Sequence, residues 1–163
     1  MRVYGVTGRK NAGKTGLMER LVAEITRRGF TVSTVKHAHH AVDVDQPGTD
    51  SFRHRDAGAS EVLLASGRRI AVMQELREAP EPPLADLLAR LLPVDLVLIE
   101  GFKRENHPKI EAFRAEAGNA LMAGENTTIR AVASDAPLQV EVPVFDLNDT
   151  AAIANFILKE VGL

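Results

Sequence analysis

The stretch GRKNAGKT, Gly8 to Thr15, fills every fixed position of the pattern G-x-x-x-x-G-K-[ST]. Before it stands a short strand-like segment, Arg2 to Val6. After it, from Lys14 to Arg28, Leu17, Met18, Leu21, Val22 and Ile25 trace one helical face. A strand, a glycine-containing loop and an amphipathic helix in that order constrain the fold more than any other feature of the chain. Glycines let the backbone curl so that its N–H groups face a ligand where no side chain would fit. The helix that starts near Gly13 adds its positive N-terminal end. The pattern reads as a phosphate-binding loop with Gly8, Gly13, Lys14 and Thr15 at its fixed positions, and Asn11, Ala12 and Gly16 within or just after it are candidate binding residues. Lys14 brings an ammonium to the terminal phosphates and is the candidate catalytic residue, and the Thr15 hydroxyl suits Mg²⁺.

Downstream, strands and helices alternate. Phe30 to Val35 is rich in β-branched residues and predicts a second strand. Asp50 to Ala57 predicts a short helix, with Thr49 or Asp50 as its cap. Glu61 to Ala65 and Ile70 to Gln74 flank SGR as a hairpin, and the prolines of REAPEPP make Arg77 to Pro83 a loop. Leu84, Leu87, Leu88, Leu91 and Leu92 predict a helix closed by Pro93, and Val94 to Ile99 a strand buried on both faces. Ile110 to Phe113, Ile129 to Ala133 and Val142 to Phe145 are further strands. Ile153, Phe156, Ile157 and Val161 mark a closing helix capped by Asn148 or Asp149. The expectation is a single nucleotide-binding domain over residues 1–163, with a three-layer α/β/α arrangement around a mostly parallel sheet.

Composition narrows the classes of function. The chain has 22 acidic and 20 basic residues, so no overall basic field argues for nucleic acid as a partner. It has no cysteine, which excludes disulfides, thiolate metal sites and cysteine nucleophiles. The longest apolar region, Leu84 to Ile99, is interrupted by Asp86, Arg90, Pro93 and Asp95 and is no membrane span. The opening MRVYGVTGRKN reaches glycine and charge too early for a signal peptide, and a cytoplasmic protein is expected.

DLVLIEGFKRENHPKIE, Asp95 to Glu111, supplies the second half of a nucleotide site. In open α/β sheets, ligands lie at the carboxyl ends of the strands. Glu100, at the end of its apolar run, is placed to hold Mg²⁺ directly or through water, and Gly101 to let the backbone approach a terminal phosphate. Asp135 follows another apolar strand, where a carboxylate would accept hydrogen bonds from the N1 and N2 donors of guanine. The N-K-x-D form of many GTPases is absent, and Ser134-Asp135 also suits a turn before Ala136-Pro137.

VKHAHHAVDVDQPGTDS, Val35 to Ser51, carries His37, His39, His40, Asp43, Asp45 and Asp50. Three readings are open. Imidazoles and carboxylates are ligands for Zn²⁺, Ni²⁺ or Mn²⁺, although the adjacent His39 and His40 would diverge. The stretch is also compatible with a solvated polar loop. The preferred reading makes it the rim of the nucleotide site. Asp43 or Asp45 would then position Mg²⁺ or its waters, and His37 would meet a phosphate or orient water. Lys36, Arg53 and Arg55 would face further anionic groups.

Taken in order and spacing, GRKNAGKT, VKHAHHAVDVDQPGTDSFRHRDAGA and DLVLIEGFKRENHPKIE resemble the molybdopterin-guanine dinucleotide biosynthesis protein B family, over residues 8 to 111. The middle block is the specific one. The resemblance implies a homodimeric, cytoplasmic GTP-binding protein with weak GTPase activity. It would assist the guanylyltransferase that attaches GMP to molybdopterin. By matching position, Gly8, Asn11, Gly13, Lys14 and Thr15 would hold phosphates, and Thr15 and Glu100 would serve Mg²⁺. The block from His37 to Ser51, including Asp50, would face nucleotide, pterin or partner. Dimeric relatives of such loops carry a second lysine directly after the first glycine; here that position is Arg9, with Lys10 following. Two other classes fit the residues, a chaperone that inserts nickel or another metal and a small-molecule kinase.

Overall fold

The structure, a computed structural model, describes residues 1–38 and 43–163. The chain forms two compact units, Met1–His37 with Leu88–Leu163, and Ala38–Leu87. In the first, six strands form one sheet: β1 (Arg2–Thr7), β2 (Val32–Lys36), β5 (Leu96–Glu100), β6 (Lys109–Phe113), β7 (Ile129–Ser134) and β8 (Val144–Asp146). Their order is β2-β5-β1-β6-β7-β8 and every pairing is parallel. The mostly parallel α/β sheet expected from the sequence is therefore present.

One face of that sheet is hydrocarbon. Tyr4, Val6, Leu96, Leu98, Ile110, Ala112, Ala131 and Ala133 pack against helices α1 (Lys14–Arg27) and α4 (Thr150–Val161). Leu17, Leu21 and Ile25 of α1 and Ile153 and Ile157 of α4 are fully buried there. Burying each such side chain contributes about 1.5–3 kcal/mol. The α4 cap is Asp149, whose carboxylate accepts from the Ala152 amide at 3.0 Å.

The opposite face buries Val97, Ile99 and Val132 and, on β6, charge as well. Lys109 and Glu111, two residues apart on β6, are both fully buried. The Lys109 ammonium donates to the carbonyls of Glu105 and His107 and to Thr128 Oγ1, using its three protons. Glu111 accepts from the amides of Met122 (3.0 Å) and Ala123 (2.8 Å). The two charges thus fasten the 101–108 and 114–128 loops over the sheet. His107 lies between them and β1: a β-carbon on Gly5 would stand 2.7 Å from its Nε2, so only glycine admits the ring.

In the second unit, the hairpin β3 (Glu61–Ala65) and β4 (Ile70–Gln74) forms an antiparallel ribbon beside α2 (Asp50–Asp56). Thr49 caps α2, its hydroxyl accepting from the Phe52 amide at 3.3 Å. Helix α3 (Leu84–Ala89) ends earlier than the leucine pattern suggests, and Leu92 is exposed. Pro93 disfavours helical geometry at the residue before it, so the last two leucines leave the helix.

Burial and the Lys109 ammonium push the His107 imidazole down to about 4 from its ordinary 6.5. At neutral pH both folded and unfolded chains carry it uncharged. As pH falls through 6.5 the unfolded chain takes a proton that the folded chain refuses, so this contribution to stability is lost between about pH 6.5 and 4. Urea midpoints measured from pH 7.5 to 4.5 are expected to fall less in His107→Met than in the unsubstituted chain. An equal fall in both would contradict this assignment.

Candidate functional site

The C-terminal end of β1 lies between β5 and β6, where the chain order reverses, the crevice that open α/β sheets use for ligands. Gly8 opens the loop there with φ 142°, and a β-carbon on it would meet the Ala112 carbonyl oxygen at 2.5 Å. Asn11 takes a left-handed conformation, φ 63°, which asparagine tolerates better than most residues. The loop is held from outside by Asn119, whose amide donates to the Lys10 carbonyl at 3.0 Å. Ala12 is buried beneath it.

Helix α1 starts from Gly13 with no side-chain cap and no acidic residue in its first turn. Its N-terminal amides and dipole are thus left for an external anion. The Lys14 ammonium donates to the Arg9 carbonyl at 2.7 Å, folding the side chain back over the loop. Burial lowers the Lys14 pKa and the Lys103 cation adds to this, while Glu100 opposes it. Gly16 lies in the first turn of α1 with only the Arg20 guanidinium within contact of its α-carbon side.

Thr15 and Glu100 converge as expected, Thr15 Oγ1 lying 3.4 Å from Glu100 Oε1. A hydroxyl and a largely buried carboxylate are hard oxygen donors of the kind Mg²⁺ takes. The Lys36 ammonium stands 3.6 Å from the same Glu100 oxygen, a cation already balancing that charge. Gly101 follows with its amide on the Val6 carbonyl, and the His37 β-carbon crosses 3.0 Å from where a side chain would begin. The His37 amide donates to the Glu100 carbonyl, and its ring stacks on Phe102 with centroids 4.4 Å apart. His37 is thus drawn to the acidic strand end.

Asp135 leaves the adjacent β7, exposed, with Oδ1 accepting from the Ala115 amide at 2.9 Å. Ser134 closes a local turn through Ala136. Arg114 carries no sequence signature of a site residue. Its Nε is buried without a hydrogen-bond partner, 3.0 Å from where a Gly13 β-carbon would stand. Only the fold reveals it, because the end of β6 and the start of α1 are far apart in sequence.

Asp45, Asp50 and Ser51 belong to the second unit. The Asp45 carboxylate accepts from Thr49 Oγ1 (2.9 Å), Ser51 Oγ (3.1 Å) and the Gln46 amide (3.0 Å). Asp50 stands in the first turn of α2, 3.9 Å from Arg53. Arg55 is engaged by Asp43 (2.9 Å), Asp45 (3.4 Å) and Glu75 (2.6 Å), a hub inside its own unit rather than a cation held ready for ligand. His39 and His40 lie outside the described residues. Among the described residues no group of three or more histidines and carboxylates is arranged to hold a metal ion, and no helix is long and apolar enough to cross a membrane.

A parallel sheet with a glycine loop and an uncapped helix at its central strand defines a P-loop NTPase-like α/β protein. The family model described as Molybdopterin guanine dinucleotide synthesis protein B, MobB, matches residues 3–135, and the chain belongs to that family. It is 41% identical to the molybdopterin-guanine dinucleotide biosynthesis adapter protein of Haemophilus influenzae, over 95% of this chain and 86% of that protein. With the Escherichia coli adapter protein the identity is 40%, over 90% of this chain and 86% of the other. The solved structure of a MobB protein homolog from Bacillus stearothermophilus superposes with a TM-score of 0.75 at 33% identity, covering 99% of both chains.

The close approach at Gly8 gives a direct test. Gly8→Ala is expected to lower stability by about 1–3 kcal/mol, read from urea denaturation, because the Ala112 carbonyl is backbone and cannot yield. Gly16→Ala, inside a helix, should be neutral or stabilising by up to about 1 kcal/mol.

Proposed function

We propose that this member of the family is a cytoplasmic, Mg²⁺-dependent GTP-binding adapter with weak GTPase activity at most. It assists the guanylyltransferase that attaches GMP to molybdopterin in molybdopterin-guanine dinucleotide biosynthesis. The pathway follows from family membership and from the names of the adapter relatives. The observation that carries the nucleotide reading is the loop from Gly8 to Thr15. It joins an uncapped helix start and the Lys14 ammonium, with the Thr15 and Glu100 oxygens converging 3.4 Å apart.

In this reading the first-turn amides of α1 and Lys14 cradle the phosphates, Lys14 exchanging its Arg9 carbonyl for phosphate oxygens. Thr15 and Glu100 hold Mg²⁺, which when bound neutralises charge on the phosphate oxygens. Lys36 then swings away from Glu100. Asp135 selects guanine over adenine through the ring donors that adenine lacks. Catalysis, where it occurs, is electrostatic, with Lys14 stabilising charge that develops on the transferred phosphate.

Titration with labelled GTP and ATP tests this. GTP should bind more tightly than ATP and lose affinity when Mg²⁺ is chelated. Lys14→Ala should weaken GTP by at least about tenfold, as expected for loss of charge-assisted hydrogen bonds. Asp135→Ala should narrow the GTP-to-ATP ratio. A clear preference for ATP would sink the guanine assignment.

A homodimer is part of the same proposal. On the β3–β4 ribbon, Leu63 pairs with Val72, and Ile70 lies two residues along on the same face. All three are more than half exposed. Such a ribbon is marginal alone in water and suits an apolar cover from a second copy. Sedimentation should give twice the monomer mass, and Leu63→Lys with Ile70→Lys should return the monomer; a monomeric parent chain would contradict the proposal.

A further inference from the structure

Beside the glycine loop, on the face that Lys109 and Glu111 organise, lies an open cavity of about 520 Å³. Arg9 of the loop, Lys103 and Arg104 of the segment after β5, and Asn106, Thr127 and Thr128 line it, with Glu125 as the one carboxylate. Among the described residues none of the three cations has a carboxylate within ion-pair distance, whereas Arg27, Arg28, Arg55 and Arg130 all do. Three cations against one carboxylate leave two positive charges among the lining side chains. Beneath, the buried Lys109 and Glu111 oppose each other, and the Glu111 carboxylate feels Arg9 and Lys103 through space.

The walls are tied together from beneath. Asn126 donates to the Lys103 carbonyl at 3.1 Å and accepts from the Thr128 amide and hydroxyl. The Lys109 ammonium joins Thr128 on one wall to the Glu105 and His107 carbonyls on the other. These connections fix the backbone of the walls from which the cationic side chains project.

We infer that this cavity is a second anion site, distinct from the glycine loop, that takes the phosphomonoester end of a small organic ligand. A phosphomonoester carries close to two negative charges near neutral pH, which matches the excess. Arg9 and Arg104 present forked donors suited to phosphate oxygens, and Lys103 a point charge. The volume is in the range of small-molecule sites and exceeds a bare phosphate. The remaining lining, side-chain amides, hydroxyls and Glu125 with Met122 as the one apolar side chain, suits a mostly polar organic body rather than an alkyl chain. The inference leans on the proposed nucleotide site in one respect, that Arg9, a loop residue, brings the two ligands side by side.

The test uses the full chain, ¹⁵N-labelled, with GDP and Mg²⁺ added first. Phenyl phosphate is then titrated, with phenol as the neutral control. Saturable shifts at Arg104, Asn106 and Thr127 with phenyl phosphate, and none with phenol, are expected. Arg104→Ala, an exposed position, should weaken phenyl phosphate about tenfold and leave GDP affinity unchanged. Shifts confined to Gly8–Gly16, or equal affinity in Arg104→Ala, would overturn the inference. If GDP itself fails to move the Gly13–Gly16 resonances, the nucleotide reading fails separately, and phenyl phosphate shifts in the nucleotide-free chain still decide the cavity.

Discussion

Strand β6 divides the first unit's chemistry in two. Ile110 and Ala112 face the hydrocarbon layer under α1 and α4, while Lys109 and Glu111 face the loops that cover the other side. Those loops bring backbone carbonyls and amides against a sheet, and buried backbone groups need partners. Lys109 supplies three donors and Glu111 the acceptors, so two buried charges do what a helix does by its own hydrogen bonds. Burial lowers the Lys109 pKa and raises that of Glu111, the cost of placing each charge there. Charge-assisted hydrogen bonds of about 1.5–3 kcal/mol each offset that cost.

The site depends on the same strand. The Ala112 carbonyl is the wall against which Gly8 turns, and Arg114, just past the strand end, lies against Gly13. On the other flank, β5 delivers Glu100 and Gly101 in register with Val6, since Val6 pairs with Glu100. The loop after central β1 is therefore walled by one neighbour's backbone and faced by the acidic side chain that ends the other. The sheet order, more than any local preference, assembles the site.

Much of this was legible from residue pattern, and the exceptions share a cause. The loop, the flanking helix and the buried acidic strand each have a local signature, so Thr15 and Glu100 meet as their positions suggest. Lys109, Glu111 and His107 have none. K-I-E reads as an ordinary half-exposed alternation, because the loops that bury it arrive from elsewhere in the chain. Asp45 was a reasonable metal ligand by residue type, yet its capping partners Thr49 and Ser51 lie within six residues and share its oxygens. Arg55 was likewise a plausible phosphate partner until the hairpin placed Glu75 beside it.

Charge is unevenly shared around the nucleotide end. Burial first, and then the Lys103 and Lys36 cations, lower the Lys14 pKa, with Glu100 the opposing carboxylate. An anion beside Lys14 would offset the burial and the like charge that lower its pKa. By linkage, an anion bound there would stabilise the folded chain. Lys36 resting on Glu100, and Lys14 on the Arg9 carbonyl, are the internal contacts that hold the charges until then. Both contacts engage Lys14 Nζ and Glu100 Oε1, the atoms that the proposed phosphate and Mg²⁺ would need.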